Sequence, residues 1–149
     1  MKNITFDNGV KEFRINSDGI LRFNPADPNV YARFMEAAEK IEAIEADMVK
    51  AGENLSTEDG AGVVKLLAEA DRQIKDILSW AFGKNNDFNE IMGGVSLMAS
   101  ASNGERVITN LIAALMPIIA AGAEDCANKQ IGDAVQKAQE NRAARRAKK

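Results

Sequence analysis

Large apolar side chains recur at three- and four-residue steps over most of the chain, and this spacing limits the fold more than any other feature. One stripe is Val30, Phe34, Ala37, Ile41, Ile44 and Met48. A second is Val63, Leu66, Leu67, Ala70, Ile74, Ile77, Leu78 and Ala81. A third runs through Val107, Ile108, Leu111, Ile112, Leu115, Met116 and Ile119. This is the helical period, and each stripe needs an apolar partner. The chain has 24 alanines and only 5% aromatic residues, which favours close-packed helices over a β-sandwich. Its 149 residues amount to one domain.

The first 24 residues read differently. Residues 4–6, 10–15 and 20–23 are short β-type runs. They are separated by the turn sequences Asp7-Asn8-Gly9 and Asn16-Ser17-Asp18-Gly19, and Asn and Gly tolerate positive φ. The expectation is a three-stranded β-meander leaning on a helix. Asp27 then caps a helix with Pro28 at its first position, and Gly52 is expected to stop it. Ser56-Thr57-Glu58-Asp59 should start the next helix, and Gly83 should follow its end. Phe88, Ile91, Met92 and Val95 suggest a short third helix, bent at Gly93-Gly94. A fourth opens at Asn103-Gly104-Glu105 and should be central, with Pro117 kinking or ending it. A last helical stretch over 124–147 carries only Ile131 and Val135 as large apolar residues. The fold class expected is therefore mainly α: an N-terminal three-stranded β-meander followed by four to five helices in a compact bundle. Residues 1–149 form a single domain, divided into a meander (1–24), a helical bundle (27–123) and a projecting basic helix or tail (124–149).

The scarce residues exclude several chemistries. There is no histidine, so Ser-His-Asp and Cys-His catalysis and all His-containing metal sites are out. The one cysteine, Cys126, cannot form an intramolecular disulfide. Its neighbours Glu124 and Asp125 disfavour a thiolate, so it reads as a small helix residue. Glu36, Glu39, Glu42 and Glu45 fall on a solvent face and not in a cleft, so they do not make a hydrolytic pair. Gly93-Gly94 lacks the Lys-Ser/Thr of a phosphate loop. Asp7-Asn8-Gly9 and Asp18-Gly19 lack calcium-loop spacing. No cofactor or metal is expected, and the chain does not read as an enzyme.

No apolar signal core follows Met1, so export is not expected and the sequons at Asn3 and Asn54 carry no weight. The longest apolar run, residues 107–123, is interrupted by Thr109, Asn110, Pro117 and Gly122 and reads as a buried core helix, not a membrane span. Net charge is −3, but residues 136–149 carry six bases and one acid, which leaves −8 for the rest. A basic tail could meet phosphates, but this one lacks interleaved aromatics for base stacking, so nucleic acid is a lesser reading. Trp80 and Phe82 read as core residues before partner anchors.

Phe6-Asp7-Asn8-Gly9-Val10-Lys11-Glu12-Phe13, then Arg22-Phe23-Asn24-Pro25-Ala26-Asp27-Pro28-Asn29-Val30, then a Glu-rich helix, resembles tail assembly chaperones of long-tailed phages and prophages of Gram-positive bacteria. The likeness covers roughly residues 1–50 in detail. It implies a non-enzymatic helper that coats the long helical tape measure protein and keeps it soluble until tail tube subunits replace it. It further implies the cytoplasm of the infected or lysogenic host as location, absence from the mature virion, and a frameshifted longer form in many members. The Lys148-Lys149 ending is compatible with a slippery codon pair. The alternatives are a structural connector or completion subunit of the tail, and a small nucleic-acid-associated regulatory protein.

A chaperone of a helical client needs exposed apolar helix surface and reversible binding. The candidate partner residues are Met92, Met98, Leu111, Leu115, Met116 and Ile119, together with Arg142, Arg145 and Arg146 of the tail. Leu111, Leu115, Met116 and Ile119 are expected to serve the core first and a client or a second copy next. The methionines would lend such a surface adaptability. The partners expected are the tape measure protein, the tail tube protein as a further candidate, and the chain itself.

Overall fold

A computed structural model describes residues 1–54 and 59–147. The expected capping residues Ser56, Thr57 and Glu58 and the lysine ending at Lys148-Lys149 lie outside the described residues. Within them the chain forms two strands, β1 (Lys11–Ile15) and β2 (Gly19–Phe23), and four helices: α1 (Pro28–Glu53), α2 (Gly60–Phe82), α3 (Phe88–Ile91) and α4 (Val107–Ala147).

The strands pair antiparallel, with Phe13 opposite Leu21 and Glu12 opposite Arg22. The connecting turn places Asn16 at φ 48° and Ser17 at φ 84°. Leu21 and Phe23 are buried and Phe13 and Ile15 half-buried, so alternation puts one face on the core. The expected third strand is not formed. Asp7 and Asn8 turn the chain through their own side chains: Gly9 N–H donates to Asp7 Oδ1 at 2.9 Å and Val10 N–H to Asn8 Oδ1 at 3.1 Å. Asn24 Nδ2 donates to Asn8 O, which draws the turn toward the end of β2 and away from the outer edge of β1. Residues 4–6 are thus led off the sheet.

Asp27 caps α1 by accepting from Asn29 N–H, with Pro28 in the first turn. Gly52 does not stop this helix, which runs one residue further, to Glu53. Asp59 caps α2 by accepting from Gly62 N–H, and Gly83 follows the helix with φ 103°. α1 and α2 lie antiparallel, with Phe34 near the start of α1 meeting Phe82 at the end of α2. Phe13, Phe23, Phe82, Phe34 and Phe88 form a connected aromatic cluster with ring centroids 4.8–5.9 Å apart. This cluster joins the sheet to α1, α2 and α3. Such pairs add about 0.5–1.5 kcal/mol each beyond area burial.

Among the described residues two polar ones are buried, Lys75 and Asn86, and each organises a loop. Asn86 accepts from Arg22 N–H and donates to Arg22 O and Phe82 O, so its amide closes the outer edge of β2 as a short strand would. Lys75 pairs with Asp71 at 2.9 Å, and the other oxygen of Asp71 accepts from Leu97 N–H. The third helix is a single turn, ended by Gly93 and Gly94 at positive φ. Beyond it, Ile108 N–H donates to Leu97 O and Val107 N–H to Ala99 O, fixing where α4 begins.

α4 corrects two expectations. It is one continuous helix through Pro117, so the two stretches expected around 107–119 and 124–147 are a single element. Pro117 lacks an N–H to give the Ala113 carbonyl, but both residues are exposed and water can serve that carbonyl. Nor is the helix central. Ile108, Leu111, Leu115, Ile119 and Gly122 are buried along one face only.

Candidate partner-binding surface

The structure brings five of the candidate partner residues together, but inside the protein. Met92, Met98, Leu111, Leu115 and Ile119 all belong to the core, with exposures between 1% and 9%. Met98 sits in the segment that Asp71 clamps, and Met92 follows the one-turn α3. Their side chains fill space between elements, so Met92 and Met98 serve the core and offer no surface to a partner. Met116 is half-buried at the core margin. Arg142, Arg145 and Arg146 are exposed on the last turns of α4. At about 1.5 Å per residue, Arg142 lies roughly 35 Å along the axis from Ile119, so the two groups share no site. Of the aromatic pair, Phe82 is core, whereas Trp80 is 43% exposed with Lys40 Nζ 4.3 Å from its ring centroid.

The exposed apolar residues of α4 lie on its other side. Ala113, Pro117, Ala120, Ala127, Ile131, Ala134 and Ala138 are all exposed, and with Glu124 they follow one another at steps of four and three. At 100° per residue this row lies roughly opposite the face holding Leu111, Leu115 and Ile119. It is a heptad-type seam of small residues, with Ile131 63% exposed and Val135 beside it at 51%. From Ala127 to Ala147 every residue is exposed on all faces, a helical stretch of about 31 Å. It stays helical without burial because it extends a helix already nucleated by the packed turns at 107–122. Asp125 and Lys129 add an i,i+4 pair at 3.4 Å.

An opening lies between α1 and α4. Ile41, Ile108 and Ile112 form its floor, and Glu42 and Glu45 stand on its rim. Its volume is about 210 Å³. Gathered metal ligands, in groups of three or more His, Cys, Asp or Glu, are not found among the described residues. α4 is long and apolar enough to cross a membrane, with mean hydropathy 1.7 over its most apolar 18 residues. Within this stretch 17% of the residues are buried. Ile108, Leu111, Leu115 and Ile119 pack into the same core as α1 and α2, and Val107, Ile112, Met116 and Ile118 are partly buried against it.

The sequence signal for the outer seam was present as the four-three spacing of alanines around Ile131. Alanine adds little apolar area, so the larger residues of the opposite face carry the stronger periodic signal. No family model, curated protein or solved structure matches this chain.

Proposed function

We propose that this protein is a non-enzymatic tail assembly chaperone that holds a long helical client, the tape measure protein, against the outer seam of α4. The observation that carries the reading is the fully exposed extension of α4, whose seam of small residues and Ile131 is spaced to take a second helix. Small residues allow close approach of a helix, and one Ile with one Val gives modest burial, which suits a grip that must later be released. The acid-rimmed opening at Ile41, Ile108 and Ile112 offers a second point of contact for a client helix bearing bases. The resemblance of residues 1–50 to tail assembly chaperones points the same way.

The test is co-expression with the tape measure protein encoded in the same gene cluster. The client should become soluble and co-purify, without dependence on nuclease treatment, and the chaperone should be missing from finished tails. A client that remains insoluble, or this chain found in finished tails, overturns the proposal and favours a connector.

A further inference from the structure

The chain has six phenylalanines, and five of them form the connected cluster described above. The sixth, Phe6, is 79% exposed, and Ile4, two residues before it, is 85% exposed. Residues 4–6 have the alternation of a strand but pair with no strand among the described residues.

The sheet has one closed edge and one open edge. Asn86 occupies the N–H and C=O of Arg22 on the outer side of β2. Arg22 therefore turns its backbone polar groups away from β1, and its partner Glu12 turns its own away from β2. Arg14, two residues on, does the same. The outer edge of β1 thus presents two N–H and two C=O groups to an incoming strand. Beside that edge, Phe13 is half-buried and borders an open groove of about 670 Å³ that also touches Pro25, Ile118 and Ala121. The arm's own turn, bound to Asn24, leads it away from this edge.

We propose that residues 3–6 of one copy add as a third strand to the outer edge of β1 in a second copy, with Ile4 and Phe6 covering Phe13. The occupant is a second copy because the arm supplies what the edge lacks: a strand of matching alternation, and the one phenylalanine left out of the stack. Exchange of the two arms is reciprocal and closes a dimer.

The test combines sedimentation of the full chain with amide hydrogen exchange, on the native protein and on an Ile4→Asp/Phe6→Asp variant. Both residues are exposed, so the variant should keep its fold, and Trp80 fluorescence and helical circular dichroism check this. The native chain should be a dimer in which the Glu12 and Arg14 amides exchange roughly tenfold or more slowly than in the variant. The variant should be a monomer with Leu21 protection unchanged. A native monomer overturns the proposal, whether or not those amides are protected, and so does a dimer that survives the double substitution.

Discussion

Gly122 of α4 lies directly against the backbone carbonyl of Pro25, in a space where a Cβ would collide with both the carbonyl oxygen and its carbon. It is the last buried residue of the helix. The turn between β2 and α1 therefore holds α4 at the point where it leaves the body. Gly122→Ala should destabilise the protein by about 1–3 kcal/mol, because the backbone of residue 25 cannot yield as a flexible side chain would. Gly132 has open space around it, so Gly132→Ala should instead raise helicity, by up to about 1 kcal/mol of propensity. Urea denaturation and circular dichroism of the two variants should move in opposite directions.

Asp71 and Lys75 tie the loop after α3 to α2. The Lys75 side chain is 5% exposed and that of Asp71 16%, and the carboxylate also receives Leu97 N–H at 2.7 Å. Asp71→Ala strands a buried cation and a backbone donor, and should cost about 3–5 kcal/mol. Adding Lys75→Met should recover much of the loss by removing the unpaired charge. A double-mutant cycle by chemical denaturation measures the coupling.

Asn86→Ala should cost about 1–3 kcal/mol for each backbone group of Arg22 it leaves without a partner. Asn86→Asp keeps an acceptor for Arg22 N–H but loses both donor bonds, to Arg22 O and Phe82 O. The carboxylate it buries against those two carbonyl oxygens should make it no milder than the alanine variant. Thermal melts of the two variants check the order.

Deleting residues 124–149 should leave the body's unfolding free energy within about 1 kcal/mol of the full chain, since from Ala127 to Ala147 nothing is covered. Denaturation midpoints of the two chains test this.

The helical part of the fold could be read from sequence because its signals are local. Asp27 and Pro28 announce α1, and Val30, Phe34, Ala37 and Ile41 are its buried stripe. Phe13 and Ile15 do share the inner face of β1. The third strand misled because Asp7-Asn8-Gly9 suits both a hairpin and a pair of side-chain-capped turns. The choice between them depends on Asn24, fifteen residues or more away in sequence. Pro117 misled because its effect depends on which side of the helix faces water. The site was harder still. Periodicity shows that Leu111, Leu115 and Ile119 share a face, but not whether that face meets the chain's own core or a partner. Met98 lies next to Leu97, which Asp71 holds from 26 residues away in sequence, a contact that no local pattern announces.

The central claim is that the outer seam of α4 grips a helical client. The most direct measurement is the affinity of the native chain, and of an Ile131→Asp/Val135→Asp variant, for a soluble fragment of the tape measure protein. Both side chains are more than half exposed, so the variant should fold as the native chain does. The account predicts an affinity loss of roughly tenfold or more, about 1.4 kcal/mol, with helicity and melting unchanged. Undiminished affinity in a folded variant would contradict it.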